Sequence, residues 1–249
     1  MIKEKRLQHI LDLLQHKETV TFEFLAIELE VSEDTIRRDI EALHNNGLLS
    51  KVRGGAMLRS ENPLSFQDRT TYLEGGKDII ALKAQQLIKP GQTIFMDGGT
   101  TNCAIAARLP LNSVLKVITN NHALVQILSK IPGIEIIILG GNYDRDTATS
   151  SGAQAVSEAS KYVADIFFLG TCAIHNQFGI TASLQTEGEL KQAMIKSSLK
   201  VIALSNGEKL NSVEYFKVCD LDSINVLITD LASGDAQLNN YRNSGFQVL

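Results

Sequence analysis

The sequence predicts an α/β fold with a mostly parallel sheet, preceded by a small N-terminal domain built mainly of helices. Two patterns lead to this prediction. From Lys77 onward, short runs of β-branched and aliphatic residues alternate with helical segments, which is typical of parallel strands covered on both faces. Before that point, three short apolar stripes recur at helical spacing.

Length and composition bound the class of protein. The chain has 249 residues, enough for one small and one larger domain, and its 44% hydrophobic content is ordinary for a folded soluble protein. No apolar run reaches the roughly 18–20 residues of a membrane span, and the charged start Met1–Arg6 is not followed by the apolar stretch of a signal peptide. Three cysteines, odd in number and far apart, indicate reduced thiols. We therefore expect a cytoplasmic protein with no membrane partner.

Three amphipathic helices and a hairpin are expected in the first 58 residues. The apolar stripes of the helices are Leu7, Ile10, Leu11 and Leu14, then Phe22, Leu25, Ala26 and Leu29, and then Ile36, Ile40 and Leu43. Thr21 and Ser32 stand at N-cap positions, and only Glu30–Ser32 separates the second and third helices, which is helix-turn-helix geometry. Two short runs around Gly54 and Gly55 then predict a wing. Residues 1–58 are thus predicted to be a winged helix-turn-helix domain.

The third helix carries the residues that are expected to contact DNA. Thr35, Arg37 and Arg38 lie opposite its apolar stripe, where arginine can read guanine or bind phosphate in a major groove. An arginine pair is also common on a solvated helix face, so it is the neighbouring helices and the wing that favour DNA binding. Phosphate contacts on the wing are expected from Lys51 and Arg53, with Arg59.

The distribution of charge supports this placement better than the total does. The net charge of −4 argues mildly against a non-specific nucleic-acid binder. Residues 19–34 hold five acidic residues and no basic one, whereas residues 35–60 hold five basic and two acidic residues. The positive segment coincides with the third helix and the wing, so the prediction of DNA binding rests on where the charges lie.

The rest of the chain divides into a linker and a larger domain. Residues 59–76 are mostly polar and hold Pro63 and Gly75–Gly76, so we expect a linker, with Leu64, Phe66 and Tyr72 docked on a neighbouring surface. Residues 77–249 are expected to form the α/β domain. Its helices are predicted at Asp78–Ile88, Asn102–Arg108, His122–Lys130, Glu187–Ser198 and Ala236–Ser244. Its strands are predicted at Thr93–Met96, Lys116–Thr119, Ile134–Leu139, Asp165–Leu169, Val201–Leu204, Val226–Thr229 and Phe246–Leu249.

Small and polar residues follow the predicted strands, at the edge of a parallel sheet where ligands bind. The loop Asp97–Thr101, read D-G-G-T-T, enters a helix N-terminus, where freed amides and threonine hydroxyls suit a phosphate; a plain turn with a threonine N-cap is the alternative. Thr119–Asn121 offers short polar side chains to a ligand or caps the next helix. Gly140–Gly141 lets a backbone pass close to a ligand or forms a turn, and Gly170 ends the fourth strand.

Three charged residues later in the chain have two interpretations each. Glu187 and Lys191, spaced i, i+4, form a surface helix pair, or Glu187 accepts sugar hydroxyls with support from Lys191. Lys209 is an exposed loop lysine or reaches a phosphate. Cys172 and His175 form C-x-x-H without a second ligand pair, so no metal is expected. Because no serine lies in a G-x-S-x-G elbow, nucleophilic hydrolysis of that type is not expected either.

These motifs together resemble one family, the DeoR-type bacterial transcription regulators, along essentially the whole chain. The matching segments are Arg6 with Leu7–Leu14, Ser32–Ile40, Val52–Ala56, Asp97–Thr101, Thr119–Asn121, Gly140–Gly141, Phe168–Gly170, Glu187 with Lys191, and Lys209. Each segment is short, but the ordered set is highly specific.

The resemblance implies a repressor, usually oligomeric, that often governs a carbohydrate operon. It implies a helix-turn-helix at about Val20–Asp39, binding double-stranded operator DNA through Val20, Thr21, Ser32, Thr35, Arg37, Arg38, Asp39, Lys51 and Arg53. It also implies a sensor domain similar to the sugar-phosphate isomerase and CoA-transferase fold, with a phosphorylated sugar or related metabolite as effector and no cofactor or catalytic residue. Effector contacts are then expected from Asp97, Gly98, Gly99, Thr100, Thr101, Thr119, Asn120, Asn121, Gly140, Gly141, Gly170, Glu187, Lys191 and Lys209.

The chain departs from the family pattern in two loops. It has Gly170–His175 where the family often shows G-x-D-G-I-D, and Leu204–Lys209 where the family often shows L-A-D-x-S-K. Cys172, His175 and Asn206 thus replace acids of the family pattern. These replacements affect the identity of the effector and the affinity for it.

Two other functions compete with the regulator. A sugar-phosphate isomerase with an appended DNA-binding-like domain would need a carboxylate base and an electrophile, for which Asp97, Glu187 and Lys209 are candidates. An architectural module without a ligand is the other. The DNA-binding regulator is favoured because a winged helix has no place in isomerase catalysis.

Overall fold

A computed structural model of the chain describes residues 2–17, 19–45, 48–57, 66–71, 73–242 and 244–249. Its helices are α1 (Lys3–His16), α2 (Phe22–Glu28), α3 (Glu33–Asn45), α4 (Phe66–Thr71), α5 (Glu74–Gln85), α6 (Thr100–Ala107), α7 (His122–Leu128), α8 (Ala153–Ala159) and α9 (Gln185–Lys196). Short 3₁₀ turns lie at Gly207–Lys209, Leu221–Ser223 and Ala236–Asn240. We call the described residues up to 57 the head and those from 66 onward the body.

The strands of the head are β1 (Thr19–Thr21), β2 (Ser50–Val52) and β3 (Gly55–Met57). Those of the body are β4 (Thr93–Met96), β5 (Leu115–Thr119), β6 (Ile134–Ile138), β7 (Asn142–Asp144), β8 (Thr149–Ser151), β9 (Ile166–Gly170), β10 (Ala173–His175), β11 (Gly179–Ala182), β12 (Val201–Ser205), β13 (Phe216–Cys219), β14 (Val226–Thr229) and β15 (Gln247–Val248).

The head is a three-helix unit with a small antiparallel sheet. Its apolar stripes meet in one core that includes Ile10, Leu25 and Ile40. The sheet has the order β1-β3-β2, so the predicted wing hairpin gains a third strand from the segment before α2. A Cβ at Gly55 would lie 2.0 Å from the carbonyl oxygen of Val20, so only glycine permits this pairing.

Both predicted N-caps of the head are present. The Thr21 hydroxyl accepts a hydrogen bond from the Phe24 amide at 3.0 Å. The Ser32 hydroxyl accepts one from the Thr35 amide at 3.3 Å. These caps fix where α2 and α3 begin, because each satisfies an amide that has no partner within its helix.

The body is built on a seven-stranded parallel sheet with the order β15-β14-β12-β9-β4-β5-β6. Successive residues of a strand point to opposite faces, so Phe95 lies in one apolar cluster while Ile94 and Met96 lie in the other. Both faces are buried, as the continuous apolar runs predicted. The predicted α/β class with a mostly parallel sheet is confirmed.

Several elements differ from the sequence prediction. The expected C-terminal helix at Ala236–Ser244 is a 3₁₀ turn that ends at Asn240, and α4 begins at Phe66 inside the expected linker. The hairpin β7-β8, helix α8 and a second sheet, β10-β11-β13, were not predicted. The Phe66 amide donates to the carbonyl oxygen of Asp146, while Leu64 and Tyr72 lie outside the described residues.

Among the helices of the described segments, none has the length and apolar character needed to span a bilayer.

Candidate DNA interface and charged pocket

The exposed face of α3 carries the predicted arginines. Arg37 and Arg38 are exposed, whereas Ile36 and Ile40 are fully buried in the head core. Thr35 is half-buried, and its hydroxyl lies 3.0 Å from that of Ser32. Both guanidinium groups therefore lie on the surface, where a DNA duplex can reach them.

The wing places a cation beside the same face. Arg53 is exposed, and the Lys51 ammonium binds the carboxylate of Glu41 on α3. The hydrogen bond from Lys51 lowers the pKa of Glu41. Lys51 is thus already paired within the head, and Arg59 lies outside the described residues.

Two residues of the expected DNA-contacting set point into the head instead. Asp39 is only 2% exposed, and its carboxylate accepts hydrogen bonds from Nε and Nη2 of Arg6. Val20 is buried in the head core. Direct DNA contact by these side chains does not fit the structure: Asp39 ties α1 to α3, and Val20 lies in β1 of the wing sheet with its side chain in the head core.

Asp97 is the centre of a charged pocket at the carboxyl ends of β4, β9 and β12. Its Oδ1 accepts hydrogen bonds from the Gly99 amide at 3.1 Å and Asn102 Nδ2 at 2.9 Å. Its Oδ2 accepts from the Gly170 amide at 2.9 Å and from the Lys191 ammonium. Four donors therefore hold this carboxylate, which is 2% exposed.

Lys191 reaches Asp97 rather than forming the surface pair with Glu187, which was one of two interpretations of the sequence. Its Nζ also donates to the Gly170 carbonyl at 2.8 Å. Burial would lower the pKa of Lys191, but the carboxylates of Asp97 and Glu187 outweigh it and raise the pKa above its usual value. Lys191 is therefore a permanent cation, and Glu187 is left to line the pocket.

Lys209 lies on the opposite wall. Its Nζ donates to the Thr171 carbonyl at 2.9 Å. Burial lowers the pKa of Lys209 to about 8, with smaller contributions from Arg69, Lys77 and Lys191. The exposed-loop interpretation of Lys209 does not fit the structure, because the residue is half-buried and its ammonium lies near other cations.

Arg69 and Lys77 complete the cationic cluster, and the sequence analysis missed both. Arg69 Nε and Nη2 are buried and find no hydrogen-bond partner among the described residues. The Lys77 ammonium and the Thr100 hydroxyl both donate to the Arg69 carbonyl. Burial, followed by the charge of Arg69, lowers the pKa of Lys77. The available signal for Arg69 was a cation in a segment that its polar composition marked as linker, and Lys77 stood at the first position of the predicted α/β domain.

The pocket brings together most of the expected effector contacts. It is a narrow, partly open cleft of about 360 Å³, a volume that includes the solvent at its mouth. Its lining residues are Arg69, Gly98, Gly99, Thr100, Thr101, Gly170, Thr171, Cys172, Glu187, Lys191 and Lys209. A smaller adjoining space is lined by Asp97 and Asn120. The larger depressions, of about 680 and 810 Å³, lie elsewhere and contain no comparable cluster of buried charges within the described residues.

Four expected effector contacts do not line either space. Thr119 is fully buried, and its hydroxyl accepts from the Asn121 amide at 2.9 Å. Asn121 caps α7 by accepting from the Ala123 amide. The Gly140 amide donates to Glu158 at 2.7 Å, and Gly141 takes a φ of +119° where the chain enters β7. Structural roles, which the sequence left open, account for these four residues.

Two family models match most of the chain. One, described as the DeoR-like helix-turn-helix domain, matches residues 6–62, and the other, the DeoR C terminal sensor domain, matches residues 74–231. The chain belongs to the DeoR family. This DeoR-family protein is therefore a DNA-binding transcriptional regulator and not an enzyme.

Named relatives of this DeoR-family regulator match it along nearly its whole length. The HTH-type transcriptional repressor GlcR of Bacillus subtilis is 33% identical, over 100% of this chain and 96% of that protein. The HTH-type transcriptional regulator GolR of Listeria innocua is 31% identical, over 100% and 98%. The lactose phosphotransferase system repressor of Lactococcus lactis is 32% identical, over 92% of each.

Three residues of this DeoR-family regulator replace acids of the family pattern, and only one of the three lines the pocket. Cys172 lines it and is 7% exposed. His175 is buried in β10, and its Nδ1 accepts from the Gln177 amide at 3.1 Å. Asn206 donates to Asp230 at 3.2 Å. No group of His, Cys, Asp and Glu side chains suited to a metal ion occurs in the part of the chain that the structure describes.

Proposed function

We propose that this regulator is an operator-binding repressor of a carbohydrate-metabolism operon, and that a phosphorylated sugar in the charged pocket controls its affinity for DNA. The protein acts as a homo-oligomer, because paired half-sites on operator DNA call for paired recognition helices. The observation that carries the proposal is the excess of buried positive charge around a pocket beside a glycine-rich loop.

The charge balance favours an anionic ligand. The residues that line the pocket include three cations, Arg69, Lys191 and Lys209, and one carboxylate, Glu187, while Asp97 beside the pocket pairs with Lys191. Burying a charge without a counter-charge is costly, so a negatively charged ligand stabilises this arrangement. A phosphomonoester near neutral pH carries roughly −1.5 to −2.

The pocket divides into a phosphate end and a sugar end. Lys209 and the unpartnered Nε and Nη2 of Arg69 offer donors to phosphate oxygens. Glu187 offers carboxylate oxygens to sugar hydroxyls, and Thr100 and Thr101 add hydroxyls on the same rim. Phosphate and hydroxyl recognition in one pocket is the chemistry of a sugar phosphate.

Asp97, one of the three candidate residues for isomerase chemistry, is not placed to act as the base. The Asp97 carboxylate accepts four hydrogen bonds, one of them from a cationic lysine, so it has no oxygen lone pair placed to remove a substrate proton. The pocket can bind a sugar phosphate but lacks a free base at this position.

The DNA side of the proposal uses the exposed residues of the head. Thr35, Arg37 and Arg38 enter the major groove, and Arg53 and Lys51 on the wing contact phosphates. Ligand binding orders the Asp97–Thr101 loop and shifts the oligomer between states that space the recognition helices differently.

The names of the relatives support the carbohydrate assignment. GlcR is named as a repressor, and the Lactococcus lactis relative is named as a repressor of a lactose phosphotransferase system. We extend the repressor role and a sugar-derived effector from them to this chain.

A melting-temperature screen against hexose, pentose and polyol phosphates tests the pocket. A ligand present at a hundredfold its Kd should add about 2.7 kcal/mol to the free energy of unfolding. Arg69→Gln should abolish the stabilisation, whereas the matched control Arg108→Gln, whose arginine pairs with Asp78 away from the pocket, should keep it. If every phosphorylated ligand leaves the melting temperature unchanged, the proposed effector class is wrong.

A further inference from the structure

The two neighbouring arginines of α3 differ in their surroundings. Consecutive residues of an α-helix point about 100° apart, so Arg37 and Arg38 cannot face the groove equally. Ile36, Ile40 and Leu43 mark the buried side of α3. Arg38 lies opposite that side, whereas Arg37 lies toward α2.

Arg37 is held at the border of the exposed face. Its Nη2 donates to Glu33 Oε2 at 3.0 Å, and its guanidinium carbon lies 4.3 Å from the centre of the Phe22 ring. Phe22 is 3% exposed, so the ring beneath the arginine is fixed. The Phe22 ring covers one face of this guanidinium, and Glu33 accepts a hydrogen bond at one edge and partly balances its charge.

Arg38 has the opposite surroundings. It is exposed, and no hydrogen bond or ion pair holds its guanidinium within the described residues. Asp34 and Glu41, at −4 and +3, flank it on the same outer line of the helix and are also exposed. Glu41 is paired with Lys51, so the carboxylate of Asp34 is the one beside Arg38 without an ion-pair partner among the described residues. It repels phosphate but does not oppose contact with the uncharged N7 and O6 acceptors of guanine.

We propose that Arg38 is the base-reading arginine and that Arg37 binds the DNA backbone without selecting sequence. The inference rests on the proposed DNA-binding function and adds a division of labour to it. A free guanidinium edge on the outermost line of the helix can form the bidentate contact that identifies guanine. A guanidinium fixed beside α2 contributes its charge to phosphate contacts, which carry no sequence information directly.

Selection from a duplex library with a randomised central segment tests this division, using the full-length protein. Wild type should enrich a guanine-containing motif. Arg38→Ala should lose the guanine preference and bind the enriched duplex about 10- to 100-fold more weakly, while binding to a scrambled duplex changes little. Arg38→Lys should lose the preference as well but keep the salt dependence, since it keeps the charge.

Arg37→Ala supplies the contrasting result. It should weaken the enriched and scrambled duplexes by the same factor, flatten the salt slope by about one unit and leave the enriched motif unchanged. Glu33→Gln should strengthen binding to both duplexes equally, because it releases Arg37 and removes a negative charge. Melting curves for each variant confirm that the head remains folded.

The possible results distinguish a failure of this inference from a failure of the proposed DNA-binding function. If Arg37→Ala alters the enriched motif, or Arg38→Ala leaves it intact, the division of labour is overturned while the DNA-binding function stands. If the wild-type protein enriches no motif, sequence-specific DNA binding fails and this inference fails with it.

Discussion

The Ser50 hydroxyl in wing strand β2 donates a 2.6 Å hydrogen bond to the backbone carbonyl of Val213 in the body. Both residues are buried, at 5% and 4% exposed. Val213 follows Ser212, whose hydroxyl donates to the Lys209 carbonyl at 3.0 Å. A path of a few residues thus connects Lys209 in the pocket to β2, the strand that carries Lys51.

We predict that Ser50→Ala weakens the response of DNA binding to the effector. The substitution removes the only donor to Val213 that the described residues supply from the head, so movement near Lys209 is no longer passed to the wing. The ratio of Kd values for the enriched duplex with and without the most stabilising sugar phosphate should move toward one. Fluorescence anisotropy measures both values.

The control for Ser50→Ala is Ser129→Ala, which removes an exposed hydroxyl bonded to the Gln126 carbonyl. This variant should keep the wild-type ratio. An unchanged ratio in Ser50→Ala would show that the signal does not travel through this hydrogen bond.

Effector binding should depend on pH through Lys209. Its folded-state pKa is lowered to about 8, so the amine loses its proton, and its attraction for phosphate, as the pH rises through 8. Below about pH 6 the phosphate itself gains a proton. Affinity should therefore be highest between about pH 6 and 8 and then fall by up to about tenfold per unit above 8.

Isothermal titration at several pH values measures this dependence. Lys209→Gln should bind more weakly at pH 7 and should lose the fall above pH 8. The same alkaline fall in the variant would assign the titration to another group.

Asp97→Asn should destabilise the body. The substitution removes the carboxylate that balances the buried Lys191 ammonium, and breaking a buried ion pair from one side costs roughly 3–5 kcal/mol. Glu135→Gln is the matched control, because it breaks the exposed pair with Lys116 and should cost less than about 1 kcal/mol. Urea unfolding compares the two; equal losses would mean that the buried pair is not a structural centre.

Arg6→Met should destabilise the head for a related reason. It leaves the Asp39 carboxylate buried without its guanidinium partner, at a cost of roughly 3–5 kcal/mol. Arg37→Met, which breaks the exposed pair with Glu33, should cost less than about 1 kcal/mol. Urea unfolding followed by a head-specific probe tests this difference, and a loss as small as the control's would argue against a supporting role for Asp39.

Local patterns were enough to predict the buried sheet. Thr93–Met96 and Val226–Thr229 were predicted with their observed bounds, because central parallel strands are continuous apolar runs. The hairpin β7-β8 was missed because Asn142–Asp144 is exposed and has no apolar alternation. Its pairing with Thr149–Ser151 depends on tertiary contacts that a local pattern does not contain.

The pocket was predicted only where its residues carry a local motif. The D-G-G-T-T loop was found from composition and its position after a strand. Sequence spacing placed Lys191 beside Glu187, either as a surface pair or as its support at a sugar, whereas the structure pairs Lys191 with Asp97, 94 positions earlier. Arg69 was missed because its place beside the pocket depends on hydrogen bonds from Thr100 and Lys77 to its carbonyl oxygen, which sequence spacing does not reveal.

The position of Arg69 on α4 constrains how hybrid regulators can be built from this chain. The sensor family model begins at residue 74, so a fusion cut there would discard Arg69 while keeping the rest of the pocket. A chimera that receives a foreign DNA-reading unit must have its junction ahead of Phe66. Metabolite selectivity would then be inherited with the transplanted segment.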